Sequence, residues 1–139
     1  MPLDIVIAKN PLSDRTDEES FFTGQWLEVD EWRALFQNVL HAPTEIPPDE
    51  GESFNDFELR RERLVQEDLT GKGYEMLGRI WFYFSDAFFA PLEVDKLLKE
   101  CIELRQKAEN KKALSALEKL ITACHEAIKV KSGVFLACD

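Results

Sequence analysis

Two stripes of apolar residues at helical spacing organise the C-terminal part of the chain, residues 92–129. Apolar positions recur there at i, i+3, i+4 and i+7, which places them on one face of an α-helix. The first stripe comprises Val94, Leu97, Leu98, Cys101, Ile102, Arg105 and Ala108, and the second comprises Leu114, Leu117, Leu120, Ile121, Cys124, Ala127 and Ile128. Pro91 precedes the first stripe and suits a first helical turn, where its missing N–H costs nothing. The pattern predicts two helices.

A polar run at residues 107–112 separates the two stripes. A short connection between helices of this length is typical of antiparallel neighbours, so we predict a helical hairpin. The apolar layers of the hairpin would pair Val94 with Ile128, Leu98 with Cys124, and Cys101 with Ile121.

Short apolar runs lie near both ends of the sequence. Residues 3–8 are rich in β-branched side chains, and residues 134–138 form a compact apolar run after Ser132-Gly133, which ends the second helix. We predict that these two runs are strands that pair with each other. The predicted fold class is α+β and mainly helical, with the C-terminal antiparallel hairpin packed against a small sheet that joins the N- and C-terminal strands.

The region between the first strand and the acidic middle of the chain is mixed. Residues 12–20 are polar and predict a loop, whereas residues 21–29 are aromatic and β-branched around one glycine and predict a second strand or a bulged turn. Apolar positions then return at helical spacing, with Asp30 as the N-cap. This helix should end near His41, because Pro43 follows.

A charged helix is predicted over residues 54–69. Ser53, with Asp56 three residues later, resembles a capping box in which Asp replaces Glu, and a run of Thr and Gly at 70–73 ends the helix. Residues 74–90 fit two periods, because their aromatic side chains suit either a helix or a strand over 80–84. We favour the helix, since the apolar pattern is longer than one strand needs.

The size and composition of the chain predict one domain over residues 1–139. With 139 residues and 45% hydrophobic side chains, it has enough material for a core. No apolar run is long enough to span a bilayer, and the first residues lack the features of a secretory signal, so we expect a cytoplasmic protein. Three cysteines without framework spacing fit reduced thiols, and Cys101 and Cys124 should be buried.

Negative charge is concentrated in the first half of the sequence. Residues 1–70 hold 17 acids and 6 bases, whereas residues 71–139 hold 10 acids and 11 bases, within a formal net charge of −10. Nucleic-acid binding needs clustered Lys and Arg, so this charge argues against a direct nucleic-acid partner. It favours either acidic loops that keep the protein soluble or a surface that meets a cationic protein.

An acidic, proline-rich loop is the strongest candidate for such a surface. Residues 42–58 contain three prolines and six carboxylates but no base. The carboxylates are Glu45, Asp49, Glu50, Glu52, Asp56 and Glu58. We predict that they bind Lys and Arg side chains of a partner.

Sequence motifs for chemistry are weak. His41, His125 and the cysteines lack metal-ligand spacing, and no nucleophile elbow, phosphate loop or dinucleotide fingerprint occurs, so we expect neither a metal nor a cofactor, and no catalytic residues are assigned. Tyr74, Trp81 and Asp86 are a candidate aromatic pocket, in which desolvation would raise the pKa of Asp86. The interpretation that we prefer is that Ser85 and Asp86 cap or interrupt a secondary-structure element.

Three functional hypotheses follow. The first is a small acidic cytoplasmic binding protein that masks a basic surface of a macromolecule, by the charge logic of immunity and inhibitor proteins. The second is a small enzyme or small-ligand-binding protein with an aromatic pocket at residues 74–89. The third is a homodimer of structural role whose exposed aromatic surface pairs with itself.

Overall fold

The computed structural model of the chain describes residues 2–9, 20–43 and 45–138. Within these ranges there are four α-helices and four strands. The helices are α1 Val29–Arg33, α2 Phe54–Gly71, α3 Pro91–Lys107 and α4 Lys111–Lys129, and the strands are β1 Leu3–Ala8, β2 Phe21–Leu27, β3 Ala87–Phe89 and β4 Gly133–Cys138. A π-helical turn, Ala34–Val39, continues α1, and a 3₁₀ turn spans Leu77–Ile80. The predicted α+β, mainly helical fold class is confirmed.

The four strands form one antiparallel sheet in the order β2-β1-β4-β3. The predicted pairing of the terminal strands is confirmed, with Leu3 opposite Cys138 and Ala8 opposite Gly133. Gly133 is required at its position, because a Cβ there would lie 2.3 Å from the carbonyl oxygen of Phe89. The region 21–29 is a strand over most of its length, and most of the predicted loop 12–20 lies outside the described residues.

The helical hairpin is confirmed as α3 and α4. Pro91 opens α3, and the side chain of Glu93 accepts a hydrogen bond of 3.0 Å from the backbone N–H of Ala90. Asn110 caps α4 by accepting hydrogen bonds from the backbone N–H groups of Lys112 and Ala113 at 2.9 and 3.1 Å. At both helix starts, a local side chain therefore accepts hydrogen bonds from backbone N–H groups.

The buried face of α4 is rotated relative to the predicted stripe. Ile128 is 41% exposed, so the predicted layer of Val94 with Ile128 is wrong. Three alanines outside the predicted stripe are buried, Ala113, Ala116 and Ala123, together with Ala127, which the stripe included. Alanine contributes little to a hydrophobic stripe, but its small side chain allows a helix to lie close to its neighbours.

The helix after β2 starts earlier than predicted, ends near His41 as predicted, and has an unpredicted π-helical second half. Its N-cap is Glu28 rather than Asp30, because the carboxylate of Glu31 accepts a 2.9 Å hydrogen bond from the backbone N–H of Glu28. After five residues the helix widens into the π-helical turn, which the sequence pattern did not predict. The chain then reverses at His41, whose φ of 51° lies in the left-handed region.

The predicted helix over residues 74–90 is wrong, and so is the alternative strand over 80–84. The chain forms the 3₁₀ turn and then the short strand β3. Glu100 of α3 explains part of this path, because its two carboxylate oxygens accept hydrogen bonds of 3.0 Å from the backbone N–H groups of Met76 and Leu77. The Tyr83 hydroxyl also donates to the carbonyl oxygen of Leu27, at 2.7 Å. Contacts with distant elements thus help to fix the path of this segment.

Helix α2 has the predicted start. The Ser53 hydroxyl oxygen accepts a 3.2 Å hydrogen bond from the backbone N–H of Asp56. Only Val65 and Leu69 are buried along the helix, and α2 packs mainly against the 3₁₀ turn. The first turns of α2 therefore carry little of the core, and Phe54 is 74% exposed.

Neighbouring leucines on α3 test the hairpin register. Leu97 is fully buried and Leu98 only partly buried, although the apolar stripe includes both. Leu97→Ala should lower the free energy of unfolding by about 2–5 kcal/mol, because it leaves a cavity in the core. Leu98→Ala should cost clearly less. Urea denaturation of both variants measures the difference, and equal losses would show that the register is wrong.

Candidate functional site

Arg60 of α2 fixes the acidic loop that precedes this helix. Its guanidinium donates two hydrogen bonds of 2.9 Å to the carboxylate of Glu52, one from Nε and one from Nη2. Nη2 also donates to the carbonyl oxygen of Pro47 at 2.8 Å. A paired fork of this kind defines the orientation of both side chains. The loop is therefore attached to α2 at two points.

Glu52 is the centre of this attachment. Its carboxylate also accepts a 3.1 Å hydrogen bond from the backbone N–H of Asp49. The hydrogen bonds from Arg60, followed by that from Asp49, hold the pKa of Glu52 below its usual range. Glu52 thus shapes the loop.

The six predicted binding carboxylates divide into two groups. Glu52 and Glu58 are half-buried and face arginines of α2, Glu58 lying 3.7 Å from Nη1 of Arg61. The other four are exposed to solvent, namely Glu45, Asp49, Glu50 and Asp56. Asp49 combines both features, since its carboxylate is 72% exposed and lies 3.5 Å from Nε of Arg60. We call residues 45–56, which contain the exposed four, the acidic segment.

Exposed apolar side chains lie in and beside the acidic segment, and they were not predicted from the sequence. Phe54 is the first residue of α2, and Leu59 follows in the second turn with 66% exposure. Apolar anchors among polar groups are typical of protein interfaces. For Leu59 the available signal was that it lies off the helix face of the buried Val65 and Leu69, whereas Phe54 shares that face and gave no such signal.

The three residues of the predicted aromatic pocket do not lie together. Trp81 lines a cavity of about 190 Å³ between the π-helical turn and α2. Tyr74 lines a different groove, near Lys72 and Lys107. Asp86 is exposed, and its carboxylate accepts a 2.7 Å hydrogen bond from the backbone N–H of Cys138. Asp86 therefore joins the start of β3 to the end of β4.

Buried thiols and the buried tyrosine are not poised for proton transfer. Burial raises the pKa of Cys124 to about 12 and that of Cys101 well above its usual value. Burial also raises the pKa of Tyr83 to about 12. A thiol that stays protonated is a poor nucleophile, so Cys101 and Cys124 serve as core residues. Among the described residues, no three His, Cys, Asp or Glu side chains are grouped as metal ligands.

Glu31 is a buried carboxylate that ties α1 to α4. It accepts hydrogen bonds from Nζ of Lys119 at 2.7 Å and from the Ser115 hydroxyl, in addition to the backbone N–H of Glu28. Burial by itself would raise the pKa of Glu31. The hydrogen bonds from Lys119, Ser115 and Glu28 together outweigh burial, so the pKa is lowered. The carboxylate is therefore satisfied within the fold and supports structure rather than binding.

No protein family, curated protein or solved structure matches this chain. In the part of the chain that the structure describes, no helix is both long and apolar enough to cross a membrane. The function is therefore inferred from the geometry and the charge of the described residues.

The pH dependence of stability tests the role of Glu31. Its folded pKa lies below the ordinary value of 4.5, so its contribution is present above about pH 4.5 and is lost as pH falls through the lowered pKa. Glu31→Gln should cost about 1–3 kcal/mol at neutral pH, because Lys119 and Ser115 lose an ionised acceptor.

The difference in unfolding free energy between wild type and Glu31→Gln should narrow as the pH is lowered below about 4.5. Thermal and urea unfolding across this range measure it. Asp30→Asn is the matched control, because Asp30 is the neighbouring carboxylate and is exposed. A constant difference at every pH would contradict the assigned shift.

Proposed function

We propose that this protein is a small, non-enzymatic binding protein whose acidic segment meets a basic surface of a partner protein. The fixed loop geometry is the observation that supports this function best. Arg60 holds the loop through Glu52 and Pro47, while Glu45, Glu50 and Asp56 stay exposed. A preformed surface loses less conformational entropy on binding than a flexible loop does.

Charge and apolar surface have separate roles in the proposal. The exposed carboxylates accelerate association with a cationic partner, and Phe54 supplies apolar area that is removed from water in the complex. Masking a basic surface in this way is how an immunity- or inhibitor-type protein would act. The same negative charge disfavours direct contact with nucleic-acid phosphates.

The proposal places this binding in the cytoplasm. The three cysteines of the protein form no disulfide, and a reducing compartment keeps thiols in that state.

A cationic peptide rich in Lys and Arg, with one central Leu, is a suitable probe. In NMR titrations its binding should shift backbone amides of residues 45–58, and Glu45→Gln combined with Glu50→Gln should slow association several-fold at low salt. The control is Asp95→Asn with Glu109→Gln, which removes two exposed charges from the hairpin. Both double variants lose the same net charge. Slower association of the Glu45→Gln, Glu50→Gln variant alone would therefore show that the position of the charges matters. Equal slowing, or shifts outside residues 45–58, would overturn the proposal.

Arg60→Gln tests whether the fixed loop matters. This change keeps all six carboxylates and makes the protein more negative, but it removes the hydrogen bonds to Glu52 and Pro47. If the fixed geometry is required, the peptide should bind more weakly despite the added negative charge. Tighter binding by Arg60→Gln would mean that charge alone is responsible.

Self-association is a second candidate function, favoured by strand β2. This strand is at the edge of the sheet, and among the described residues it pairs only with β1. Its aromatic side chains Phe21, Phe22 and Trp26 are 45%, 52% and 40% exposed. An apolar sheet edge is a ready site for pairing with a second copy.

Analytical ultracentrifugation over a range of protein concentrations tests this candidate. If β2 pairs with itself, the wild type should form dimers and Phe22→Lys should be monomeric, because the charge would lie in the new interface. Phe84→Lys is the matched control, since Phe84 is 59% exposed but lies outside β2. A wild type that stays monomeric at every concentration excludes the dimer.

A further inference from the structure

The π-helical turn forms one wall of the aromatic cavity. Phe36 is buried and the next residue, Gln37, is exposed, and both line the cavity. The backbone N–H of Ala42 donates a 2.8 Å hydrogen bond to the carbonyl oxygen of Phe36, across the reversal at His41. This bond closes the helix end and brings Ala42 and Pro43 to the edge of the cavity. Such turns are frequent at functional sites.

The remaining walls are aromatic and held in place. The indole N–H of Trp32 donates a 2.7 Å hydrogen bond to the carbonyl oxygen of Ile80, and the Trp32 and Phe36 rings stack with centroids 5.4 Å apart. Trp81 is only 8% exposed, and Val65 of α2 is buried beside the cavity. The cavity is therefore preformed, with flat apolar surfaces.

One cation, Arg61, lies at this cavity. Its guanidinium carbon is 5.4 Å from the centroid of the Trp81 ring. The carboxylate of Glu58 lies 3.7 Å from Nη1, which is too far for a hydrogen bond. Within the described ranges the guanidinium donates no hydrogen bond, so its fork of donors remains available to a ligand.

We propose that this cavity binds a small aromatic carboxylate of the benzoate type. The ring would lie against Trp81, Trp32 and Phe36, and the carboxylate would accept two hydrogen bonds from Arg61. The planar fork of a guanidinium donates two parallel hydrogen bonds to a carboxylate, and a neutral group offers no equivalent match.

The volume of the cavity limits the size of this ligand. A dry cavity of about 150 Å³ is known to hold benzene. The cavity here, about 190 Å³, therefore has room for one ring and one carboxylate. This site is separate from the acidic segment and does not depend on the proposed protein partner.

A titration of the wild-type protein with benzoate tests the site. We expect saturable shifts of the Trp32 and Trp81 indole N–H signals in NMR spectra, with a dissociation constant of about 1 mM for so small a ligand. The indole of Trp26, on β2, is an internal reference and should not shift. Acetate and benzyl alcohol should bind at least about tenfold more weakly, because each lacks one of the two recognised groups.

Arg61→Gln should weaken benzoate binding at least about tenfold and leave the weak binding of benzyl alcohol unchanged. Arg61→Lys keeps the charge but not the fork and should show an intermediate loss. Arg63→Gln removes an exposed arginine of the same helix and should bind benzoate like the wild type. Circular dichroism melting of each variant verifies that it is folded.

The proposal is overturned if benzoate leaves the Trp32 and Trp81 signals unchanged in the wild type. It is also overturned if benzyl alcohol binds as tightly as benzoate, or if Arg61→Gln and Arg63→Gln weaken benzoate equally. In the last two cases, the guanidinium of Arg61 is not the recognition group.

Discussion

Close packing around helix α4 is the constraint on which the rest of the structure depends. This helix contacts α1, the π-helical turn, α3 and the strands β1, β2 and β4. Its buried face combines larger side chains such as Leu117 and Leu120 with four alanines, so the neighbouring elements lie close to the helix backbone. Small residues at an interface leave little volume to spare, and a larger side chain there would displace several elements together.

The acidic segment and α2 lie away from the main contacts of α4. Helix α2 joins the core through Val65 and Leu69, and its first turns depend on Ser53 and Arg60 for their position. Segments with few buried contacts have low local stability, which is typical of binding regions. The hydrogen bonds of Arg60 offset this by ordering the acidic segment from within. Core and binding surface are thus stabilised by different interactions.

The elements that sequence predicted well are those whose cause is local. The hairpin, the Ser53 cap and the terminal strands follow from spacing and from neighbouring residues. Residues 74–90 were misassigned because distant residues fix their path: Glu100 accepts hydrogen bonds from Met76 and Leu77, and the Tyr83 hydroxyl donates to Leu27. The spacing of apolar residues along the sequence carries no information about such a contact.

The candidate sites show the same difference between features with a local cause and features that depend on distant residues. The six carboxylates were identifiable from composition, but their separation into exposed and structural groups depends on Arg60 and Arg61, which the sequence placed simply on a charged helix. The aromatic cavity brings Trp32, Arg61 and Trp81 together from separate elements, with a π-helical turn between them that has no recognised sequence signal. Only the participation of Trp81 was foreseen.

The pairing of β1 with β4 also determines the order in which the chain can fold. As a ribosome releases the chain, Ile5, Val6 and Ile7 emerge early, yet the strand that covers one side of β1 is made only after both helices of the hairpin. Until then β2 is the one sheet neighbour available to β1 among the described strands. Closing the long loop between β1 and β4 is entropically costly and slow. An apolar strand edge that has not yet paired is prone to aggregation. The β1 edge therefore stays open to aggregation until β4 is made.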